Sequence, residues 1–322
     1  MTTLVFGSKG FIGQSILKLY NDIGMIHTLV IASRDMAYSK YILDRFPRAR
    51  IMDLAVKSGA THLKFQHEID KILYLSGVYD LKIKDQALNN NDLLINHFEF
   101  NVTRPLEELH NCMNIFKNLE RVVFASSQAV DVSFKIGVSG NTGIENLAYG
   151  FNKHLAENIF AYFLKNASIE FYPLRIGTVY GPGEPEHRFA FQLLKNFSEN
   201  KSFLVKNSSH RRNYVYVMDL AKFLFKILDT ESLEANKPIY LAGKEIFTVK
   251  EYSENLKETW EKHSGKKAYV NYINESINND FGLMECDSNL TFNIPNTPMS
   301  KVSEKIVNWF IDGSPDFTSK YL

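Results

Sequence analysis

Over the first half of the chain, short apolar runs alternate with longer stretches of mixed character. The runs TLVFG (3–7), TLVIAS (28–33), ARIMD (49–53), KILYLSG (71–77), RVVFASS (121–127) and IEFYPLRIG (169–177) are rich in Val, Ile, Leu and Phe and lack clean polar alternation. That pattern predicts strands covered on both faces, as in a parallel sheet. Between them, GQSILKLYNDI, RPLEELHNCMNIFKN and YGFNKHLAENIFAYFLKN carry apolar residues at helical spacing. In the last of these, Leu155, Ile159, Phe160 and Phe163 are expected to form a core-facing stripe. Regular strand–helix alternation predicts βαβ units and an α/β fold built on a doubly wound parallel sheet.

After residue 177 the pattern changes. VYGPGEPEHRF reads as a Pro/Gly loop, HRRNYVYVMDLAKFLFKIL as a strand entering a helix, and 243–300 as helical with many Asn residues. A core is expected over 1–180, with 213–242 returning to it. Segments 181–212 and 243–322 are expected to form a smaller lobe.

Composition narrows the function classes. Lys and Arg total 37 and Asp and Glu 36, a net charge of +1, so no global field favours nucleic acid or membrane. Cys112 and Cys286 are too few for a disulfide framework and suit a reducing, cytoplasmic setting. No apolar run is long enough to cross a membrane, and structure beginning near Thr3 leaves no signal peptide to expect. No set of metal ligands stands out.

Chemistry enters with FGSKGFIG, which puts Gly7, Gly10 and Gly13 between the first strand and the first helix. Glycines there allow a sharp turn, close approach to a pyrophosphate and tight helix–strand packing. The helix N-terminus then offers free N–H groups to the anion. The second strand ends in Ser33, Arg34 and Asp35. An arginine at this point can pair a 2′-phosphate, and Lys9 in the glycine loop adds a second cation, so NADP is favoured over NAD; Asp35 keeps NAD open.

Two Tyr–Lys pairs share a spacing of four, YGFNK (149–153) and YLAGK (240–244). About one such pair is expected by chance, so context must choose between them. Tyr149 and Lys153 lie in a helical pattern and share a face. Tyr240 and Lys244 flank Gly243 after a strand-like run, which argues for a turn. Upstream, the fifth strand ends in Ser126 and Ser127, where ligands of a parallel sheet gather. A phenol near pH 10 is a poor base at neutral pH, and an adjacent ammonium favours its phenolate. Ser127, Tyr149 and Lys153 therefore form a candidate site that moves a proton while hydride passes to or from a nicotinamide.

These stretches resemble the extended short-chain dehydrogenase/reductases, in the NAD(P)-dependent nucleotide-sugar epimerase/dehydratase/reductase group. GSKGFIG matches the family's GxxGxxG, RVVFASSQAV its serine strand at Ser127, YGFNK its YxxxK, PLRIGTVYGPG its LRxxNVYGPG and RRNYVYVMD its RDFIYVxD at Arg212. The resemblance implies a Rossmann core and a substrate-binding lobe. It implies cofactor contacts at Gly7, Lys9, Gly10, Phe11, Ile12, Gly13, Ser33, Arg34, Asp53, Leu54, Leu75, Ser76, Asn101, Tyr149, Lys153 and Ile176. It implies a nucleotide-sugar substrate held by Gln128, Thr178, His187 and Arg212, and a cytoplasmic homodimer.

There are departures. Gln128 and Ala129 stand where dehydratases have Asp–Glu, so 4,6-dehydration lacks its acid/base pair. Asp131 and Val132 replace a usual Tyr–Gly, and Thr178 the usual Asn. GDP-fucose synthase, an epimerase/reductase of the family, carries basic residues that Lys9 and Arg34 resemble. Its cysteine beyond the serine is Ala129 here. The expectation is a reductase of a 4-keto nucleotide sugar using NADP, with a 4-epimerase holding NAD tightly as the alternative, and a non-enzymatic dinucleotide sensor third.

Overall fold

The computed structural model describes residues 1–23, 27–55, 60–79, 90–131, 144–230, 234–273 and 295–313. Cys286 and Val132 lie outside them. The chain divides into two compact units, residues 1–176 with 224–240, and residues 177–223 with 241–322.

The first unit is built on strands β1 (Thr2–Phe6), β2 (Thr28–Ser33), β3 (Arg50–Asp53), β4 (Lys71–Tyr74), β5 (Arg121–Ser127) and β6 (Glu170–Ile176). Each pairs its neighbour in parallel, and a remote strand, β10 (Ile239–Leu241), completes a seven-stranded sheet in the order β10-β6-β5-β4-β1-β2-β3. The order reverses between β1 and β4, the switch point where open α/β sheets bind ligands beyond their strand ends. Helices α1 (Phe11–Ile23), α2 (Met36–Arg45), α3 (Ala60–Leu63), α4 (Asn90–Phe98), α5 (Arg104–Ile115) and α6 (Ile144–Asn166) connect the strands, with a π-helical turn at Glu99–Thr103 between α4 and α5. β4 is buried at every position, Lys71 included. The core joins Leu4, Phe6, Val30, Ile72, Tyr74, Phe124, Ala156, Phe160 and Phe171.

The stripe on α6 is phased differently from the expectation. Ala156, Phe160 and Leu164 face inward beside the buried polar pair Lys153 and Glu157. Leu155 and Phe163 are instead 41% and 44% exposed. Two polar residues occupy inward positions that a hydropathy pattern assigns to apolar ones, so the apolar stripe is displaced around the helix.

The second unit begins at β7 (Thr178–Tyr180), followed by α7 (Phe189–Ser198), β8 (Phe203–Lys206) and β9 (Arg211–Tyr216). Helix α8 (Val217–Asp229) straddles the division at residue 224. β11 (Ile246–Thr248), α9 (Val249–Ser264), β12 (Val270–Ile273) and α10 (Met299–Ile311) complete it. β9 pairs β7 in parallel and β11 antiparallel. The return to the first unit therefore starts at 224 and not 213. Tyr214 and Phe247 stack at 4.3 Å inside an aromatic cluster that includes Tyr180 and Tyr252.

Two buried cations tie the returning segment down. Arg121 Nη1 donates to the carbonyls of Ile227, Leu228 and Thr230 at 3.0, 2.8 and 2.9 Å. Lys71 Nζ donates to the Leu228 carbonyl at 2.6 Å. These are the orphan carbonyls at the end of α8, where positive charge also favours the helix dipole.

Candidate functional site

The glycine loop has two constrained glycines and one unconstrained. Gly7 has φ +79°, and a Cβ there would stand 2.6 Å from Ser76 N. A Cβ on Gly13 would stand 2.4 Å from the Gly7 carbonyl oxygen. Backbone packing against the end of β4 and the start of α1 therefore requires both. Gly10 is exposed, and a Cβ there would meet only the Gly7 oxygen at 3.4 Å. Packing leaves Gly10 unexplained, since a Cβ would have room there. The first turn of α1, with Phe11, Ile12 and Gly13, carries no acid that would repel an anion. This cradle fits the pyrophosphate of a dinucleotide.

The adenosine end is less basic than its residues promise. Lys9 Nζ pairs Asp35 Oδ2 at 3.0 Å, and Asp35 also caps α2 by accepting from Tyr38 N. The Tyr38 amide and the Lys9 ammonium hold the Asp35 carboxyl below its usual range. Arg34 pairs Glu108 of α5, whose other oxygen accepts from Tyr74 Oη at 2.6 Å. Both cations expected to read a 2′-phosphate are thus engaged by acids. Ser33 Oγ receives the Asp35 amide at 3.1 Å, and the Leu54 amide donates to the Ser33 carbonyl at 2.7 Å. Asp53 Oδ1 accepts from the Ala55 amide. These bonds gather Ser33, Asp53 and Leu54 at the ends of β2 and β3.

At the end of β4, the Leu75 amide continues the ladder to the Phe6 carbonyl at 3.0 Å. Beyond Ser76, Gly77 is enclosed: a Cβ would stand 2.9 Å from Lys153 Nζ and 3.0 Å from Asn101 Oδ1. Asn101 is fully buried in the π-helical turn. Its amide donates to the carbonyls of Val78 and His97 at 2.9 and 3.0 Å, and its oxygen accepts from the Val78 amide at 3.1 Å. It clamps the loop after β4 beside Lys153.

Lys153 is 2% exposed and donates to the Ala125 carbonyl at 2.8 Å. Its ammonium lies 4.6 Å from the Phe124 ring centroid and 5.9 Å from that of Tyr149. Burial pulls its pKa down to about 8, with Glu157 working in the other direction. Tyr149 is half-buried, and its ring packs edge-on to Tyr79 at 5.1 Å. Ser127 is half-buried two residues beyond Ala125, and its Oγ accepts from the Ala129 amide at 3.1 Å. Gln128 follows, its amide bonded to the Ile176 carbonyl at 3.1 Å, so the ends of β5 and β6 stay together.

Behind these groups lies a buried charged cluster. Glu157, on α6, accepts from Ser126 Oγ and from Arg175 at 2.7 and 3.2 Å. Arg175 reaches on to Asp131 at 2.6 Å and to Tyr240 Oη at 2.9 Å. Tyr240 lies on β10 in no helix, and a Cβ on Gly243 would strike the Tyr214 carbonyl at 1.7 Å. The YLAGK spacing is therefore a pinned strand end. Thr178, His187 and Arg212 belong to the second unit. Thr178 opens β7, His187 is exposed before α7, and Arg212 is half-buried on β9 opposite Phe247. Among the described residues, no three acids, histidines or cysteines are placed to hold a metal ion. Sequence reasoning missed Gly77, Glu108 and Glu157, whose partners lie far along the chain.

Comparison with known proteins adds to this geometry. A family model described as the NAD dependent epimerase/dehydratase family matches residues 3–243. The uncharacterized UDP-glucose epimerase YtcB of Bacillus subtilis (strain 168) is 23% identical over 181 residues. That match covers 55% of this chain and 56% of the relative, so it spans about half of either. A variant of UDP-glucuronic acid 4-epimerase from Bacillus cereus was solved with UDP-4-deoxy-4-fluoro-glucuronic acid and NAD. It is 19% identical with a TM-score of 0.74, covering 97% of this chain and 99% of that one. UDP-N-acetylglucosamine 4-epimerase from Methanobrevibacter ruminantium M1, in complex with UDP-N-acetylmuramic acid, is 18% identical with a TM-score of 0.72, covering 97% and 98%. WbmF of Bordetella bronchiseptica, in complex with NAD⁺, is 16% identical with a TM-score of 0.73, covering 97% and 93%. These structural likenesses show the fold.

Proposed function

We propose, from the fact that the chain belongs to the NAD dependent epimerase/dehydratase family, that this extended short-chain dehydrogenase/reductase is a nucleotide-sugar 4-epimerase that keeps NAD bound. The reading moves away from the NADP-using 4-keto reductase expected from the sequence. Two observations support the move. Lys9 and Arg34 are held by Asp35 and Glu108, which leaves neither cation uncommitted for a 2′-phosphate. The related solved structures named above are epimerases, or hold NAD, or both.

The observation that carries the proposal is the Lys153 ammonium, buried, bonded to the carbonyl two residues before Ser127 and lying below the Tyr149 ring on one helix face. When bound, NAD supplies the hydride acceptor and donor for the sugar carbon. Tyr149 takes and returns the hydroxyl proton, a role worth roughly 10²–10⁴ in rate. Lys153 favours the phenolate by its charge. Ser127 orients the same oxygen by a hydrogen bond. The family resemblance assigns Arg212 of the second unit to the substrate diphosphate and gives Gln128, Thr178 and His187 as further candidates. Gln128 and Ala129 supply no acid pair, so dehydration is not part of the reading.

A cytoplasmic homodimer belongs to the same reading. Leu155, Tyr162 and Phe163 are exposed on α6, and an apolar groove of about 300 Å³ runs between α5 and α6 past Leu106, Met113 and Phe163. Glu107 and His110 also line it, and a twofold dimer would bury the same face of both copies. Sedimentation checks this; a monomer at tens of micromolar would remove it.

The function is tested on dialysed protein. The expected result is stoichiometric retained NAD and interconversion of two UDP-sugars with no net change at the nicotinamide band. Tyr149→Phe should retain NAD and lose turnover. Consumption of NADPH by a keto-sugar nucleotide, with an exchangeable cofactor, would restore the reductase.

A further inference from the structure

We propose that Glu157 is a positioning residue, a buried carboxylate that shares a face of α6 with Lys153 and locks the end of β5 on which Ala125 and Ser127 sit. The inference rests on the reading that Lys153 serves Tyr149. Glu157 lies one helical turn beyond Lys153 and two beyond Tyr149, on the same face of α6. It is 5% exposed. It accepts from Ser126 Oγ and from two nitrogens of Arg175, and Ser126 and Arg175 are register partners across β5 and β6. One carboxylate thus fastens helix, serine strand and neighbouring strand together.

The consequence falls on three consecutive residues. The Ala125 carbonyl takes the Lys153 ammonium, Ser126 donates to Glu157, and Ser127 Oγ accepts from the Ala129 amide. A carboxylate in this place does what an apolar brace would not. Buried ion pairs are often matched or exceeded in stability by apolar packing of the same volume, so structure alone gives little reason for the charge. Lys153 supplies the reason, because burial strips its ammonium of water and Glu157 is the charge that opposes that loss.

Among the described residues, the other charged and titratable groups near the pair are these. From β6, Arg175 is taken up by Glu157 and by Asp131, which follows β5. From β10, Tyr240 donates toward Asp131 and receives Arg175. On α6 itself, Tyr149 lies above Lys153, and His154 Nδ1 is 3.8 Å from Glu157 Oε2. From the π-helical turn, Asn101 adds a neutral amide near the ammonium.

The test reads Lys153 directly. Lysine labelled at Cε is followed by NMR through a pH titration of the full-length protein, with Lys153→Met assigning the signal. Glu157→Gln should lower the Lys153 midpoint by about one pH unit or more, the size expected for loss of a nearby opposite charge. Ser126→Ala keeps the charge and loosens only the strand, so it should move the midpoint less than Glu157→Gln does. An unmoved midpoint in Glu157→Gln overturns the proposal. Should that variant not fold, Glu157→Asp keeps the charge but draws it back by one methylene; a smaller fall in the same direction is expected there, and an unmoved midpoint is equally fatal. The titration needs no substrate, so its outcome stands apart from whether the sugar reaction is the one proposed. Where turnover is found, the pH at which kcat is lost on the alkaline side should fall with the midpoint, with KM little changed.

Discussion

Gly77 and the Lys153 ammonium occupy adjoining space: a Cβ at position 77 would stand 2.9 Å from Lys153 Nζ. The other close atom, Asn101 Oδ1 at 3.0 Å, is also the end of a side chain. No backbone blocks the extra methyl, so the collision is with the site and not with the fold. Gly77→Ala should fold with a midpoint within a few degrees of wild type while turnover falls at least about tenfold, a barrier increase of about 1.4 kcal/mol. Thermal unfolding and steady-state kinetics on one preparation check it; wild-type turnover would mean that Lys153 relaxes without consequence.

Cofactor preference should respond to the acid that holds Arg34. Glu108→Gln removes the charge that engages the guanidinium and leaves an amide that can still accept from Tyr74. Released, Arg34 can pair a 2′-phosphate with a charge-assisted bond worth about 1.5–3 kcal/mol. NADP affinity should then rise by about tenfold or more while NAD affinity changes little. Calorimetry with both cofactors reads this, and equal changes for the two would show that Arg34 does not reach the phosphate.

Lys153 should leave a mark on stability at alkaline pH. Its pKa is about 8 folded and about 10.5 unfolded. Between those values the unfolded chain holds a proton that the folded chain has released, so stability rises with pH across that window, by at most about 3 kcal/mol. Lys153→Met lacks this rise. Urea unfolding at pH 7 and pH 10 should show wild type gaining on the variant, and parallel curves would count against the buried ammonium.

Glu184 should act with the opposite sign. It is 6% exposed in the second unit, Arg188 lies 3.5 Å away, and burial lifts its pKa to about 7. The folded chain keeps a proton that the unfolded chain loses near 4.5, so this contribution is complete below about 4.5 and lost as pH rises through 7. Glu184→Gln keeps an acceptor but cannot ionise. It should match wild type near pH 4.5 and exceed it at pH 8 by about 1–3 kcal/mol. A pH-independent difference would place Glu184 among ordinary packing residues.

What could be read from the sequence follows the range of the interactions. TLVIAS and RVVFASS coincide with β2 and β5 because apolar runs and turn residues are local signals. Gly7 and Gly13 were readable for the same reason. The pairing of Arg34 with Glu108 joins residues 74 apart, and no local pattern announces it. It reverses the meaning of an arginine that looked free to bind phosphate. Glu157 was invisible because a carboxylate in a helix reads as solvated, and with Lys153 it took the inward face and pushed Leu155 and Phe163 outward. Gly77 was passed over because only its surroundings, supplied by α6 and the π-helical turn, show why a side chain is excluded.

Lys71 and Arg121 give the molecule a direction in time. Both are nearly fully buried, and their main-chain partners lie at residues 227–230, up to 109 positions after Arg121. A nascent chain leaves the ribosome from its N-terminus at roughly 5–20 residues per second, so Arg121 emerges about 5–20 seconds before Thr230. Through that interval the sheet also lacks β10, leaving β6 as an open edge. The dinucleotide-binding half, though first in the sequence, is thus finished only after a large part of the other half has been translated. Ribosome stalling before residue 230 would leave these two buried cations without their main-chain partners.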